Sequence, residues 1–177
     1  MQNHYNYVFD NLTSTYNFVT KNKILYRVAF VVDQTFSTIS GEEIPNVFQI
    51  ILEKGNDEFE VYDSKVSKTV ASIIENFFQN VENALIYVCS EEKDKAEKRN
   101  MIFDRWYKNY KHKDFISKID KIISIRTSNI EVQQLYTSLI FHKENPNQIR
   151  LIEIYDQIEN TLNTDSKENR CRFEMKN

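Results

Sequence analysis

The chain changes period at Val66. Before about residue 53 its aromatic and β-branched residues alternate with polar ones, as in strands with one buried face; from Val66 apolar residues recur at helical spacing. Tyr5, Tyr7 and Phe9 share one parity and run into a turn-like stretch at residues 10–14. Tyr16 and Phe18 continue the alternation, and Lys21, Asn22 and Lys23 make a second tight connection. Strands over residues 24–32 and 47–53, separated by a loop carrying Gly41 and Pro45, complete a four-stranded meander.

After the switch, Val66, Val70, Ile73, Ile74, Phe77, Phe78 and Val81 form one helical stripe, with Asp63 or Ser64 as the cap. Leu85 to Cys89 is too short and uniformly apolar for an amphipathic helix, so it predicts a strand buried on both faces. A second helix is expected over residues 92–110, where Ala96, Arg99, Phe103, Trp106 and Tyr110 recur every three or four residues. Residues 116–126 and 134–142 predict two strands, although Ile119, Ile122, Ile123 and Ile125 also fit a helix. Asn145 as cap, Pro146 at the first helical position and Gln148 closing a capping box start a last helix. It runs to about Leu162 with Leu151, Ile154, Tyr155, Ile158 and Leu162 inward. The expected fold is α+β: a mainly antiparallel sheet, the N-terminal meander plus later strands, packed against about three helices. One domain over residues 1–162 and a polar, frayed tail over 163–177 are expected, since the tail's only apolar residues are Cys171, Phe173 and Met175.

Composition limits the chemistry. Gly41 and Gly55 are the only glycines in 177 residues, so a phosphate-cradling glycine loop, a dinucleotide fingerprint and a nucleophile elbow are excluded. His4, His112 and His142, with Cys89 and Cys171, lie too far apart for the short-spaced metal motifs. No catalytic residue, metal or cofactor is assigned. The N-terminus lacks the basic start and apolar stretch of a secretory signal, and no apolar run approaches the ~20 residues of a membrane span. A cytoplasmic protein with free thiols and no membrane contact is expected.

Charge is segregated. Nine Lys or Arg stand against three Asp between Lys98 and Arg126, in a chain whose formal net charge is −3. Such a split marks either an anionic partner or the solvated side of a helix and a strand.

The run from Tyr87, Val88 and Cys89 through Asp94, Arg99, Phe103 and Trp106 resembles a family of small bacterial proteins, mostly from Bacteroidota, known as domain of unknown function 6169. Tyr16-x-Phe18-x-Thr20, Tyr26-x-Val28-x-Phe30, Asp63, Thr69 and Asn145-Pro146 extend the resemblance over nearly the whole chain. It implies a bacterial, intracellular protein folded in one piece, and carries no activity.

Arg99 lies on an apolar helical stripe, so its guanidinium must either pair with a carboxylate such as Asp63 or Asp94 or face a cleft. Trp106, Tyr107, Tyr110 and Phe115 alternate with Arg105, Lys108, Lys111 and Lys113, a mixture that is either core with flanking cations or a base-stacking, phosphate-neutralising surface. His142 becomes a general base only if a carboxylate or a thiol such as Cys89 converges on it. The expected function is a non-enzymatic binding or regulatory module that meets a protein partner through this basic aromatic surface. The alternative is a nucleic-acid-associated protein, or an enzyme component of a phage-defence or toxin–antitoxin system. Oligomeric state is left open.

Overall fold

The computed structural model of the chain describes residues 3–56, 62–89, 95–126, 132–158 and 160–161. Among these, seven strands form one sheet: β1 (Tyr7–Asp10), β2 (Thr15–Val19), β3 (Leu25–Val32), β4 (Val47–Lys54), β5 (Ala84–Cys89), β6 (Ile116–Arg126) and β7 (Val132–His142). Their order is β1-β2-β3-β4-β5-β7-β6, and only β4 with β5 is parallel. The four α-helices among the described residues are α1 (Thr35–Ser40), α2 (Ser64–Phe77), α3 (Lys95–Asn109) and α4 (residues 148–158), and a short 3-10 turn (Lys113–Phe115) leads into β6.

The meander over β1 to β4 follows the sequence period. Tyr7 lies opposite Phe18, Phe18 opposite Tyr26, Tyr16 opposite Val28, and Phe30 opposite Ile50, so one face of the N-terminal half-sheet is mainly aromatic with aliphatic residues between. α2 covers that face: Val70 and Ile73 pack with Phe18 and Val28, and Phe77 stacks on Phe30 at 4.1 Å. α2 is also the crossover that a parallel β4–β5 pair requires. β5, between β4 and β7, is buried from Ala84 to Tyr87 and again at Cys89, but Val88 is 46% exposed, so the expected burial on both faces holds only for the first part of the strand. Residues 116–126 are a strand, with Ile123 buried on one face and Ile122 exposed on the other.

Two layers cover opposite faces. α2 and α3 lie on one; α1 and α4 lie on the other, where Phe36, Leu151, Ile154, Tyr155 and Ile158 meet Ala84, Ile86, Ile123, Leu139 and Phe141.

Three details differ from the sequence reading. The expected loop between β3 and β4 contains α1, which buries Phe36 and ends at Gly41, where φ of 69° is reached without a Cβ clash. α2 stops at Phe77, so Val81 lies beyond it. Pro146 falls in a turn ahead of α4, whose first intrahelical bond is Leu151 N–H to Asn147 O. The Leu162 position and the tail over 163–177 lie outside the described residues.

Asn145 does more than cap. It is buried; its Oδ1 accepts the Asn147 N–H (2.8 Å), and its Nδ2 donates to Glu82 O (2.8 Å), tying the start of α4 to the entry of β5. Asn145→Ala leaves a buried carbonyl and the Asn147 N–H short of partners, and is expected to cost about 2 kcal/mol, read as a lower urea midpoint. Thr69, also fully buried, accepts the Tyr5 N–H (2.9 Å) and donates to Lys65 O (2.6 Å). Among the described residues every buried side-chain polar atom has a partner.

Candidate functional site

Small residues open a groove between α2 and α3. Ser64, Ser67 and Ala71 sit at three- and four-residue spacing on α2, and opposite them α3 presents Ile102, Arg105 and Trp106. Tyr26 and Lys54, paired in register at one end of β3 and β4, close the groove, and Tyr62 stands at its mouth, 72% exposed. The volume is about 480 Å³.

Trp106 is half-buried. Its ring meets Phe103 edge-on at 5.0 Å and packs with the α2 cluster of Val70 and Ile73, yet it still lines the groove. Core packing and exposure to a ligand are therefore combined in one side chain. Lys54, Lys68 and Arg105 carry the cations of the lining, and Asp63 its carboxylate.

Asp63 is already engaged. It caps α2 by accepting the Lys65 N–H (2.9 Å) and accepts the Tyr5 hydroxyl at 2.6 Å. The phenol bond, first among several causes, holds its carboxyl below the ordinary carboxylate range. With the folded value depressed, the ionised pair contributes stability above pH ~4, and that contribution is lost as pH falls through the folded value. Tyr5→Phe is expected to move the Asp63 titration, followed by carboxyl NMR shifts, upward towards the unperturbed value.

The remaining members of the basic aromatic stretch go elsewhere. Tyr107 turns to the sheet, where its hydroxyl donates to Ile116 O (3.3 Å). Lys108 pairs with Asp104 at 2.5 Å, a contact that leads the depression of the Asp104 carboxyl. Lys113 reaches Lys108 O at 3.4 Å, and Lys111 is exposed. Only Arg105 and Trp106 of this stretch line the groove. The Arg99 side chain and Asp94 lie outside what the structure describes; the α3 stripe runs through Asn100, whose Oδ1 accepts the Tyr87 hydroxyl at 3.2 Å.

Below α3 lies a second polar cluster. The Lys118 side chain is 3% exposed and its ammonium lies between Asp104 (3.5 Å) and Asp120, near the faces of Tyr87 and Tyr107. Ser138 donates to the same Asp120 oxygen. Burial raises the Tyr87 phenol above its usual range.

His142 and Cys89 do not converge. Cys89 on β5 pairs with Tyr136 in the middle of β7, six residues from His142 at the end of that strand, roughly 20 Å away at ~3.4 Å per residue. His142 Nδ1 instead accepts the Glu144 N–H (3.1 Å). No helix among the described residues is long and apolar enough to cross a membrane.

Lys54, Lys68, Tyr26 and Tyr62 are groove residues that sequence reasoning missed. The available signal was the small-residue spacing of Ser64, Ser67 and Ala71, a notch inside an otherwise bulky helix.

No curated protein and no solved structure matches the chain. A family profile described as "Family of unknown function (DUF6169)" matches residues 62–158, more than half of the chain, including both helical walls of the groove. The chain belongs to that family of unknown function, DUF6169.

Proposed function

We propose that this protein is a binding module whose α2–α3 groove receives an acidic segment of a protein partner. The observation that carries the reading is the pairing of an apolar lining with uncompensated charge: Lys68 and Arg105 flank Trp106 and Ile102, and among the described residues neither cation pairs with a carboxylate. An acidic segment with an apolar anchor matches that chemistry, because desolvated aromatic pockets with cationic rims concentrate binding energy in a few side chains. An extended nucleic-acid track is less favoured, since Lys108 is held by Asp104 and Lys113 lies away from the groove.

Trp106 is the only tryptophan, so its emission reports the groove alone. A peptide rich in glutamate and phenylalanine is expected to shift that emission at micromolar concentration, with at least tenfold weaker binding in Lys68→Ala/Arg105→Ala. RNA and single-stranded DNA, titrated at two salt concentrations, form the contrasting arm. Salt-dependent nucleic-acid binding without a peptide response transfers the site to the alternative reading, and no response to any of the three removes the groove as an anion site.

A further inference from the structure

The seam between α2 and α3 continues past the groove. Ser64, Ser67, Ala71, Ile74 and Phe78 keep the three- and four-residue spacing of one helix face along the whole of α2 and its C-cap. Ser64 and Ser67 line the groove; Ile74 and Phe78 line an inner cavity of about 40 Å³, roofed by α2 and α3 and floored by Leu85 and Ile140 of the sheet. Ala71 and Trp106 line both, so a single layer of side chains separates the two spaces. α3 repeats the order, with Ile102 and Arg105 in the groove, Trp106 shared and Tyr110 within.

Polarity is graded along this seam. Lys68 and Arg105 stand at its groove end without a carboxylate partner among the described residues, while the Asp63 carboxylate is turned to the Tyr5 hydroxyl and the Lys65 N–H. Among the described residues no charged side chain lines the inner cavity, and the Tyr107 hydroxyl on its wall is taken up by Ile116 O. At the far end His112 Nε2 meets Glu75 at 2.9 Å, which ties α2 to the segment after α3.

An anionic head on a slim, unbranched apolar chain matches this gradient. The way inward passes over Ala71, whose side chain is one methyl group, beside the Trp106 ring; an aromatic anchor fills the groove there and goes no further. The cavity beyond has room for about one or two carbons, and its apolar walls keep it dry. From Lys68 to Phe77 the rise of α2 is ~14 Å, about the length of an extended twelve-carbon chain.

We propose that the seam binds a medium-chain fatty acid, with its carboxylate between Lys68 and Arg105, its chain along Ala71 and Trp106 and its terminal methyl in the inner cavity. The proposal rests on the reading of the groove as an anion site, and gives that site a small-molecule ligand that competes with the acidic segment.

Calorimetric titration of the full chain with dodecanoate below its micelle concentration, followed in parallel by Trp106 emission, tests this. Saturable binding at micromolar concentration is expected, with a blue shift of the emission and displacement of the glutamate- and phenylalanine-rich peptide. Each buried methylene adds roughly fourfold to affinity, so octanoate is expected to bind at least tenfold more weakly. Lys68→Ala/Arg105→Ala is expected to weaken dodecanoate at least tenfold. Ala71→Leu, which obstructs the passage, is expected to erase the advantage of dodecanoate over octanoate; the double variant, at two exposed positions, carries the test if Ala71→Leu alters the fold. Equal binding of dodecyltrimethylammonium, an indifferent double variant, or dodecanoate and peptide bound together overturns the proposal. Peptide binding without a dodecanoate response overturns this proposal alone, and dodecanoate binding without a peptide response overturns the acidic-segment reading alone.

Discussion

Replacing Tyr155 with alanine is expected to cost about 3–5 kcal/mol, the range for emptying a large, fully buried aromatic site. Tyr155 is fully buried on α4, packed among Ile86, Ile123 and Leu139, and its hydroxyl shares a 2.7 Å hydrogen bond with Thr137 on β7. It also lies under Lys121, whose ammonium is 5.0 Å from the ring centroid. The loss therefore combines a cavity, a threonine hydroxyl left with only its longer bond to Lys121 O (3.4 Å), and a weakened tie between α4 and the β6–β7 hairpin. A melting-temperature drop of roughly 10 °C is expected. Tyr155→Phe separates the terms, since it keeps the ring and loses only the bond, at about 1 kcal/mol.

The second large effect is at Lys118. Lys118→Met keeps an unbranched stem of similar size against Tyr87 and Tyr107 but removes the ammonium that Asp104 and Asp120 share. Breaking a fully buried pair typically costs about 3–5 kcal/mol; here about 2 kcal/mol is expected, because the Asp104 and Asp120 side chains are 33% and 57% exposed and water screens them. Asp104, whose carboxyl is held low first by Lys108 and also by Lys118, contributes stability above pH ~4 that disappears as pH falls through its folded value. The stability gap between wild type and Lys118→Met, taken from urea midpoints at several pH values, is accordingly expected to narrow on acidification.

How much of this was legible beforehand depended on whether the decisive contacts were local. The alternation of Tyr16, Phe18, Tyr26 and Val28 specified strands and their buried face, and the Val66 to Phe77 stripe specified a covering helix, because both periods are written within a few residues. α1 was not legible: six residues hold less than two turns, and Phe36 alone carries its burial. The insertion of β7 between β5 and β6 was not legible either, since it rests on pairings such as Ile86 with Leu139, more than fifty residues apart. The strand at residues 116–126 was ambiguous because isoleucines at 119, 122, 123 and 125 fit both periods; the sheet resolves it by burying Ile123 and leaving Ile122 in solvent.

The groove followed the same rule. Arg105 and Trp106 stood out because cation and aromatic are adjacent on one helix, while Tyr26, Lys54 and Lys68 come from β3, β4 and α2 and meet only in the fold. The basic aromatic stretch was in turn too inclusive. A helix projects successive residues about 100° apart, so Tyr107 falls about 200° round from Arg105 and turns to the sheet, while Lys108, within about 60° of Arg105, is held by Asp104.

The most direct test of the groove is an amide and indole NMR titration of the full chain with the glutamate- and phenylalanine-rich peptide. Saturable shifts of the single Trp106 indole N–H and of amides in residues 62–71 and 102–106 are expected, with β1 and the β6 edge undisturbed. Shifts that fall mainly outside those two segments, or an indole resonance that stays fixed while the peptide binds, contradict the account.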